Sequence, residues 1–235
     1  MNPQKLPPHW IAAIRSVFQK SGLIKRKYEL EFSQIYSSKY WSGQESVSGG
    51  GSSIASTKEI RYQLPILLKK YRITSLLDVP CGDFYWMSKI DLTGVSYIGG
   101  DIVKEVISAN VQRYRSAHLK FLHTDIIHER LPYADCIFCR DCLVHLPLYD
   151  CIKALDNFVR SGSKYLLATT FTGQKHNAEI AAGKWRPLNL QIAPFFLPEA
   201  IEIIDEKCMD DDGKYADKSM GLWKLSDIQL SPHTK

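Results

Sequence analysis

Two rhythms of apolar positions run through the chain from residue 57 onward. Thr57–Tyr71 carries apolar residues at helical spacing, with Thr57 placed to cap, and Ile73-Thr74-Ser75-Leu76-Leu77-Asp78-Val79 is a short apolar run closed by turn residues. The spacing predicts further strands over Val95–Gly99, Lys120–His123, Cys136–Cys139 and Lys164–Thr170, with helices over Val103–Tyr114 and Tyr149–Arg160 between them. Two more strands are expected at Ile201–Ile204 and Gly221–Leu225. Strands alternating with helices at this spacing argue for an α/β, Rossmann-like, doubly wound and mostly parallel sheet of seven strands.

The first 56 residues differ. Trp10, Ile11, Ile14, Val17 and Phe18 recur at helical spacing and predict a short amphipathic helix, and a second is expected over Lys27–Tyr36. Residues 42–53 then read Ser-Gly-Gln-Glu-Ser-Val-Ser-Gly-Gly-Gly-Ser-Ser, a composition that removes helix and strand propensity together and by itself describes a flexible linker. The expected organisation is an N-terminal helical cap with a Gly/Ser-rich loop over residues 1–56, and the α/β domain over 57–235.

Composition narrows the class. Hydrophobic residues make up 45% of the 235 and charged residues 23%, the balance of a globular domain and not of a disordered chain. A net charge of +5, scattered along the chain, is too mild to argue for nucleic acid. The chain has no run of about eighteen apolar residues and no leader-like start, so a soluble cytoplasmic protein with no membrane partner is expected. Six cysteines in a chain of this size read as reduced thiols. The Cys-x-x-Cys spacings of Cys136, Cys139 and Cys142 invite zinc, but residues three apart on a strand face opposite ways, so no metal is expected.

Ligands of open parallel sheets bind outside the carboxyl ends of the strands, near the point where strand order reverses. An acid follows each of the first four strands: Asp78 and Asp83, Asp101, Asp125, and Asp141. Carboxylates would repel a pyrophosphate, and only Gly82 stands where a dinucleotide fingerprint needs three glycines, which counts against a P-loop and disfavours a nucleotide-dependent oxidoreductase. The set suits a cationic or hydroxyl-rich ligand, with Asp101 placed to bond a ribose diol.

Four stretches in order resemble the class I S-adenosylmethionine-dependent methyltransferases, in particular those with type 11 and type 12 domains. Leu76-Leu77-Asp78-Val79-Pro80-Cys81-Gly82-Asp83-Phe84 is similar to their first motif, Tyr97–Ile102 to the second-strand motif, Phe121–Ile126 to the adenine-edge motif, and Ala134–Leu146 to the fourth-strand motif with its Leu-x-His. The likeness spans roughly Ile73–Thr170. Two places depart from it: Pro80 stands for a usual glycine, and Asp83-Phe84-Tyr85-Trp86 replaces the second. Trp41–Ser53 and Asn177–Leu197 resemble a little-characterised subgroup with Trp-x-x-x-Glu-Ser-x-Ser-Gly-x-Gly-Ser before the core and Gly-x-Trp-Arg-x-Leu-Asn-Leu after it.

The resemblance implies S-adenosylmethionine as cofactor. Asp78, Pro80, Cys81, Gly82 and Trp86 would lie at its amino-acid end, Asp101 and Ile102 at the ribose, and Asp125 and Ile126 at the adenine, with Arg140 beside them. It also turns the Gly/Ser-rich segment from a linker into a lid loop. His145, which titrates near neutrality, is the candidate general base, although a histidine packed at a helix start reads equally well. Trp41, Trp185 and Arg186 are candidate acceptor-binding residues, an aromatic plate and a guanidinium fork suiting a sugar face or an anionic substituent. No Asn/Asp-Pro-Pro-Tyr follows the fourth strand, which argues against amino methylation of DNA bases or glutamine. The expected partner is a small polar molecule methylated on oxygen. A non-catalytic module on the same fold, or methylation of a protein side chain, are the alternatives.

Overall fold

The computed structural model describes residues 27–230 except 42, 44 and 115. The helix expected over Trp10–Phe18 lies outside the described residues. In chain order the elements are α1 (residues 27–37), α2 (Lys58–Lys70), β1 (Ser75–Asp78), β2 (Ser96–Asp101), α3 (Lys104–Arg113), β3 (Leu119–His123), β4 (Cys136–Cys139), α4 (Leu148–Arg160), β5 (Tyr165–Phe171), β6 (Glu202–Asp205) and β7 (Lys218–Lys224).

The seven strands form one sheet in the order β3-β2-β1-β4-β5-β7-β6. The first five pair in parallel, whereas β7 inserts antiparallel between β5 and β6. The chain therefore leaves β1 first toward β2 and later returns to β4 on its other side, which puts the switch point beside Asp78, in register with Gly99 of β2 and Phe138 of β4.

Alternation along the buried strands feeds two cores. Leu77, Ile137, Cys139, Leu166 and Ala168 face one side, packed against Cys151, Leu155 and Phe158 of α4. Leu76, Cys136, Phe138 and Leu167 face the other, packed against Ile60, Leu64, Leu67 and Leu68 of α2. A period of two along each strand is what divides them. Cys136 and Cys139 thus sit in different cores, and all six cysteines are free thiols. Among the described residues no helix is long and apolar enough to cross a membrane, and no group of three or more metal-ligand side chains converges.

Helix α1 lies across the carboxyl-end side of the sheet. Tyr28 donates to the Asp150 carboxylate at the start of α4, and Glu29 pairs with Lys104 Nζ at 2.6 Å at the start of α3. Gly183 meets it with a φ of +75°, where a Cβ would come within 2.8 Å of Ile35 Cδ1. Side chains of α3, α4 and β3 thus meet α1.

Candidate active site at the switch point

A single cavity of about 590 Å³ opens over the carboxyl ends of β1, β2 and β4, and Asp78, Asp101 and Asp125 all line it. Each acid is held differently. Asp78, almost wholly buried, accepts from Tyr97 Oη at 2.5 Å. Burial pushes its carboxyl up to about 8, against the hydrogen bond from Tyr97, with the nearby Asp101 charge pushing the same way. Asp101 accepts from the backbone N–H of Val103 at 2.9 Å and of Gly82 at 3.2 Å, yet burial still raises it to about 6. At Asp125 burial opposes the charge, but the His128 ring at 2.8 Å and the backbone N–H of Ile127 at 2.8 Å outweigh it and hold the carboxyl below its ordinary value.

The loop after β1 is built for close approach. Gly82 has a φ of +51°, and a Cβ there would meet Ser48 Oγ at 2.3 Å, so glycine is required twice over. Asn110 of α3 donates to the Gly82 carbonyl at 2.7 Å and fixes the loop from behind. Pro80, Cys81, Trp86, Ile102 and Ile126 line the cavity as the resemblance implies.

Asp83, the departure from the motif, has a partner the sequence did not reveal. Its carboxylate accepts from Ser46 Oγ at 3.1 Å and from the Val47 backbone N–H at 3.0 Å. The Gly/Ser-rich segment is therefore bound to the first-motif loop, and Ser48 through Ser52 form a wall of the cavity. Its composition argued for a flexible linker; the finding is an ordered wall, because backbone freedom lets the segment fit closely against Gly82 and leaves its N–H groups available to Asp83.

Arg140 lines the cavity, but its guanidinium is committed to the protein. It forms a two-pronged pair with Glu206, at 2.6 Å from Nε and 3.2 Å from Nη2, donates to the Gly51 carbonyl at 2.9 Å, and stacks over Trp86 at 5.4 Å. Asp141 follows with a left-handed φ of 51° and pairs through Oδ2 with Lys218 Nζ at 2.6 Å. Burial opposes the Asp141 charge, but Lys218 and then Arg140 bring its carboxyl down to about 2. Lys218 and Glu206 were not among the expected site residues, and Asp141 was expected only as the acid that follows the fourth strand. Their pairings join β4 to residues more than sixty positions downstream, which no local spacing discloses.

His145 sits in a short 3-10 turn, Leu143–His145, and lines the cavity. Its Nδ1 lies 2.9 Å from the Lys184 carbonyl, an acceptor only, so the proton is on Nδ1 and Nε2 carries the lone pair. Burial lowers its pKa below the ordinary value and keeps the ring neutral. Trp41 lies against it, ring centroids 4.3 Å apart. Trp185 also lines the cavity, in edge contact with Tyr215 and Phe171.

Arg186 does not line the cavity, and its expected role in binding the acceptor is corrected. The residue is 4% exposed, and its guanidinium donates to the carbonyls of Ala178 at 2.8 Å, Leu143 at 3.0 Å and Leu146 at 2.6 Å. A fork of donors suits buried carbonyls as well as it suits an anion. Arg186 ties down the turn that presents His145.

The chain matches no protein-family model and no curated protein. It does match solved structures. The N-methyltransferase NodS from Bradyrhizobium japonicum WM9, in complex with S-adenosyl-L-homocysteine, is 16% identical over 81% of this chain and 97% of that one, with a TM-score of 0.59. The 1,6-didemethyltoxoflavin-N1-methyltransferase from Burkholderia thailandensis, with bound 1,6-didemethyltoxoflavin and S-adenosylhomocysteine, is 12% identical over 95% of this chain and 92% of that one, with a TM-score of 0.57. The shared feature is the fold, a seven-stranded, mostly parallel, Rossmann-like sheet.

Proposed function

We propose that the protein transfers the methyl group of S-adenosylmethionine to a small polar acceptor, with an oxygen of a sugar or other metabolite as the accepting atom. The observation that carries this reading is the set of three acids, Asp78, Asp101 and Asp125, at successive strand ends around one cavity at the switch point. Asp78 and Asp101 are buried with carboxyls raised to about 8 and about 6. Two buried acids, neither held in an ion pair among the described residues, fit a ligand that brings an ammonium group and hydroxyls, and do not fit a pyrophosphate.

Asp78 would take the ammonium of the cofactor's amino-acid end, Asp101 its ribose hydroxyls, and Asp125 with Ile126 its adenine edge, while Gly82 lets the backbone approach. When bound, S-adenosylmethionine supplies a methyl group on a positively charged sulfur. The chain's own work is then positioning: an acceptor oxygen held in line at near-attack distance, and water kept out by α1, Trp41 and the wall of residues 48–52. His145, neutral and with Nε2 free of its Nδ1 anchor, would accept the acceptor's hydroxyl proton. Six free cysteines support a reducing compartment, and the cytoplasm is the location proposed.

A non-catalytic module on the same fold drew its support from Pro80 and from the missing second glycine, and the bonds from Ser46 and Val47 give Asp83 another reason for its place there. Isothermal titration with S-adenosylmethionine and S-adenosylhomocysteine tests the reading. One saturable site for either supports it, and heat from neither removes it.

A further inference from the structure

The cavity continues toward β4, β5 and β7, where Asp141, Asp210 and Lys218 line it. Asp141 and Lys218 form the floor there, and Phe171 of β5 stands in register with Lys218 of β7. Lys218 has a side chain only 9% exposed, with Nζ at 2.6 Å from Asp141 and 3.2 Å from Glu206. Arg140 completes the group through Glu206. Two cations balance two anions in this group and Asp210 adds a further carboxylate to the lining, so it offers no advantage to a phosphate or carboxylate on the acceptor.

It offers instead a donor beside an acceptor. An ammonium has three N–H bonds, and two of those on Lys218 go to carboxylates. The Asp141 side chain is 25% exposed, and the residue is held at a left-handed φ of 51° that a non-glycine residue adopts at a cost. The Thr169 hydroxyl accepts its backbone N–H at 2.8 Å and keeps it there. Above this pair stand indoles: Trp41 against His145, and Trp185 braced by Tyr215 at 4.8 Å.

A hydroxyl both donates and accepts, so two neighbouring hydroxyls can satisfy a lysine and an aspartate without breaking the ion pair between them. The C–H faces of a saturated ring suit flat indoles. We propose that Asp141 and Lys218 clamp a pair of adjacent hydroxyls on an uncharged saturated ring, a pyranoside or cyclitol, held against Trp41 and Trp185, and so select a neutral polyol as the methyl acceptor. This rests on the methyltransferase reading above. In the transfer one hydroxyl oxygen on the ring forms the new O–C bond as the S–CH3 bond breaks, the electron pair stays on sulfur, and that hydroxyl's proton passes to His145 Nε2.

Saturation-transfer NMR with methyl glucopyranoside, methyl mannopyranoside and myo-inositol as probes, with S-adenosylhomocysteine at saturation, tests this on wild type, Lys218→Met and Trp185→Ala. At least one probe takes up saturation on wild type, and the signal falls about tenfold in Lys218→Met, the loss expected of one charge-assisted hydrogen bond. Trp185 is 42% exposed, so Trp185→Ala keeps the fold and lowers the signal as well, while titration shows S-adenosylhomocysteine affinity unchanged in both variants. No saturation of any probe on wild type that binds S-adenosylhomocysteine overturns the polyol clamp and leaves the methyltransferase reading standing. So does equal saturation of wild type and Trp185→Ala. Failure of S-adenosylhomocysteine to bind wild type brings down both.

Discussion

Arg186→Ala separates a structural guanidinium from a ligand-binding one. Three carbonyls, those of Ala178, Leu143 and Leu146, lose the guanidinium donor in a place where the residue is 4% exposed, and the Leu143 carbonyl keeps the Leu146 N–H at 3.2 Å. Each charge-assisted bond lost costs about 1–3 kcal/mol, and the remaining donors and water entering the vacated space recover part of it, so the sum is about 3–5 kcal/mol. For a chain of this length, where 1 kcal/mol moves Tm by about 2–4 °C, the melting point should fall by roughly 6–20 °C. Because the Leu143 and Leu146 carbonyls frame the turn that carries His145, the variant should also release the imidazole from the Lys184 carbonyl, seen as a change in the tautomer-sensitive ring 15N shifts of His145 by NMR. Arg186→Lys keeps the charge but reaches fewer carbonyls, and should recover less than half of the lost stability. Differential scanning calorimetry of the three proteins decides the matter. A Tm for Arg186→Ala within about 2 °C of wild type, the size of a surface change, would refute the bracing role and return Arg186 to the acceptor site.

The remaining predictions concern the acids and the wall. Because the Asp78 carboxyl is raised in the folded protein, the ligand-free fold binds more protons than the unfolded chain between about 4 and 8, so Asp78 makes stability fall as pH rises through that window. Asp78→Asn should flatten the decline measured by urea unfolding from pH 5 to 8.5, and an unchanged slope would contradict the burial account. Asp83→Ala removes the anchors of Ser46 and Val47 and should speed proteolysis within residues 43–53 about tenfold with a Tm loss of only a few degrees, the scale of two partly exposed hydrogen bonds; a cleavage rate like wild type would show that the wall holds without Asp83. S-adenosylhomocysteine should slow cleavage at Trp41 and Gly49–Gly51, and equal cleavage with and without it would remove the closing role of that loop. On any accepted acceptor, kcat should rise with pH through a pKa below 6.5, the ordinary value that burial of His145 lowers, and a flat profile would exclude His145 as the base.

The sheet was legible because a strand buried on both faces writes itself as a short apolar run. Cys136–Cys139 is observed over the residues expected, and the other six strands begin or end within a few residues of expectation. The acids after β1 to β4 were legible for a related reason: a parallel sheet brings each of those strand ends to the same edge, so position along the chain translates into position in space. The antiparallel insertion of β7 was not, since nothing in Lys218–Lys224 says which neighbour it pairs with. The Arg140–Glu206 and Asp141–Lys218 pairs depend on that insertion and were invisible with it. Asp83 looked like a defect in a glycine-rich motif because its partners lie 36 and 37 residues earlier. Arg186 was misread because a guanidinium bonds carbonyls and anions with the same fork, and only burial tells the two apart.

The central claim is that the three strand-end acids hold S-adenosylmethionine. Melting curves of wild type and Asp101→Ala, each with and without S-adenosylhomocysteine, test it most directly. A ligand of the native state alone stabilises by about 2.7 kcal/mol at a hundredfold excess over Kd, which at this chain length is a shift of roughly 5–11 °C. The account predicts that shift in wild type and its loss in Asp101→Ala. No shift in wild type, or an equal shift in both proteins, would contradict it.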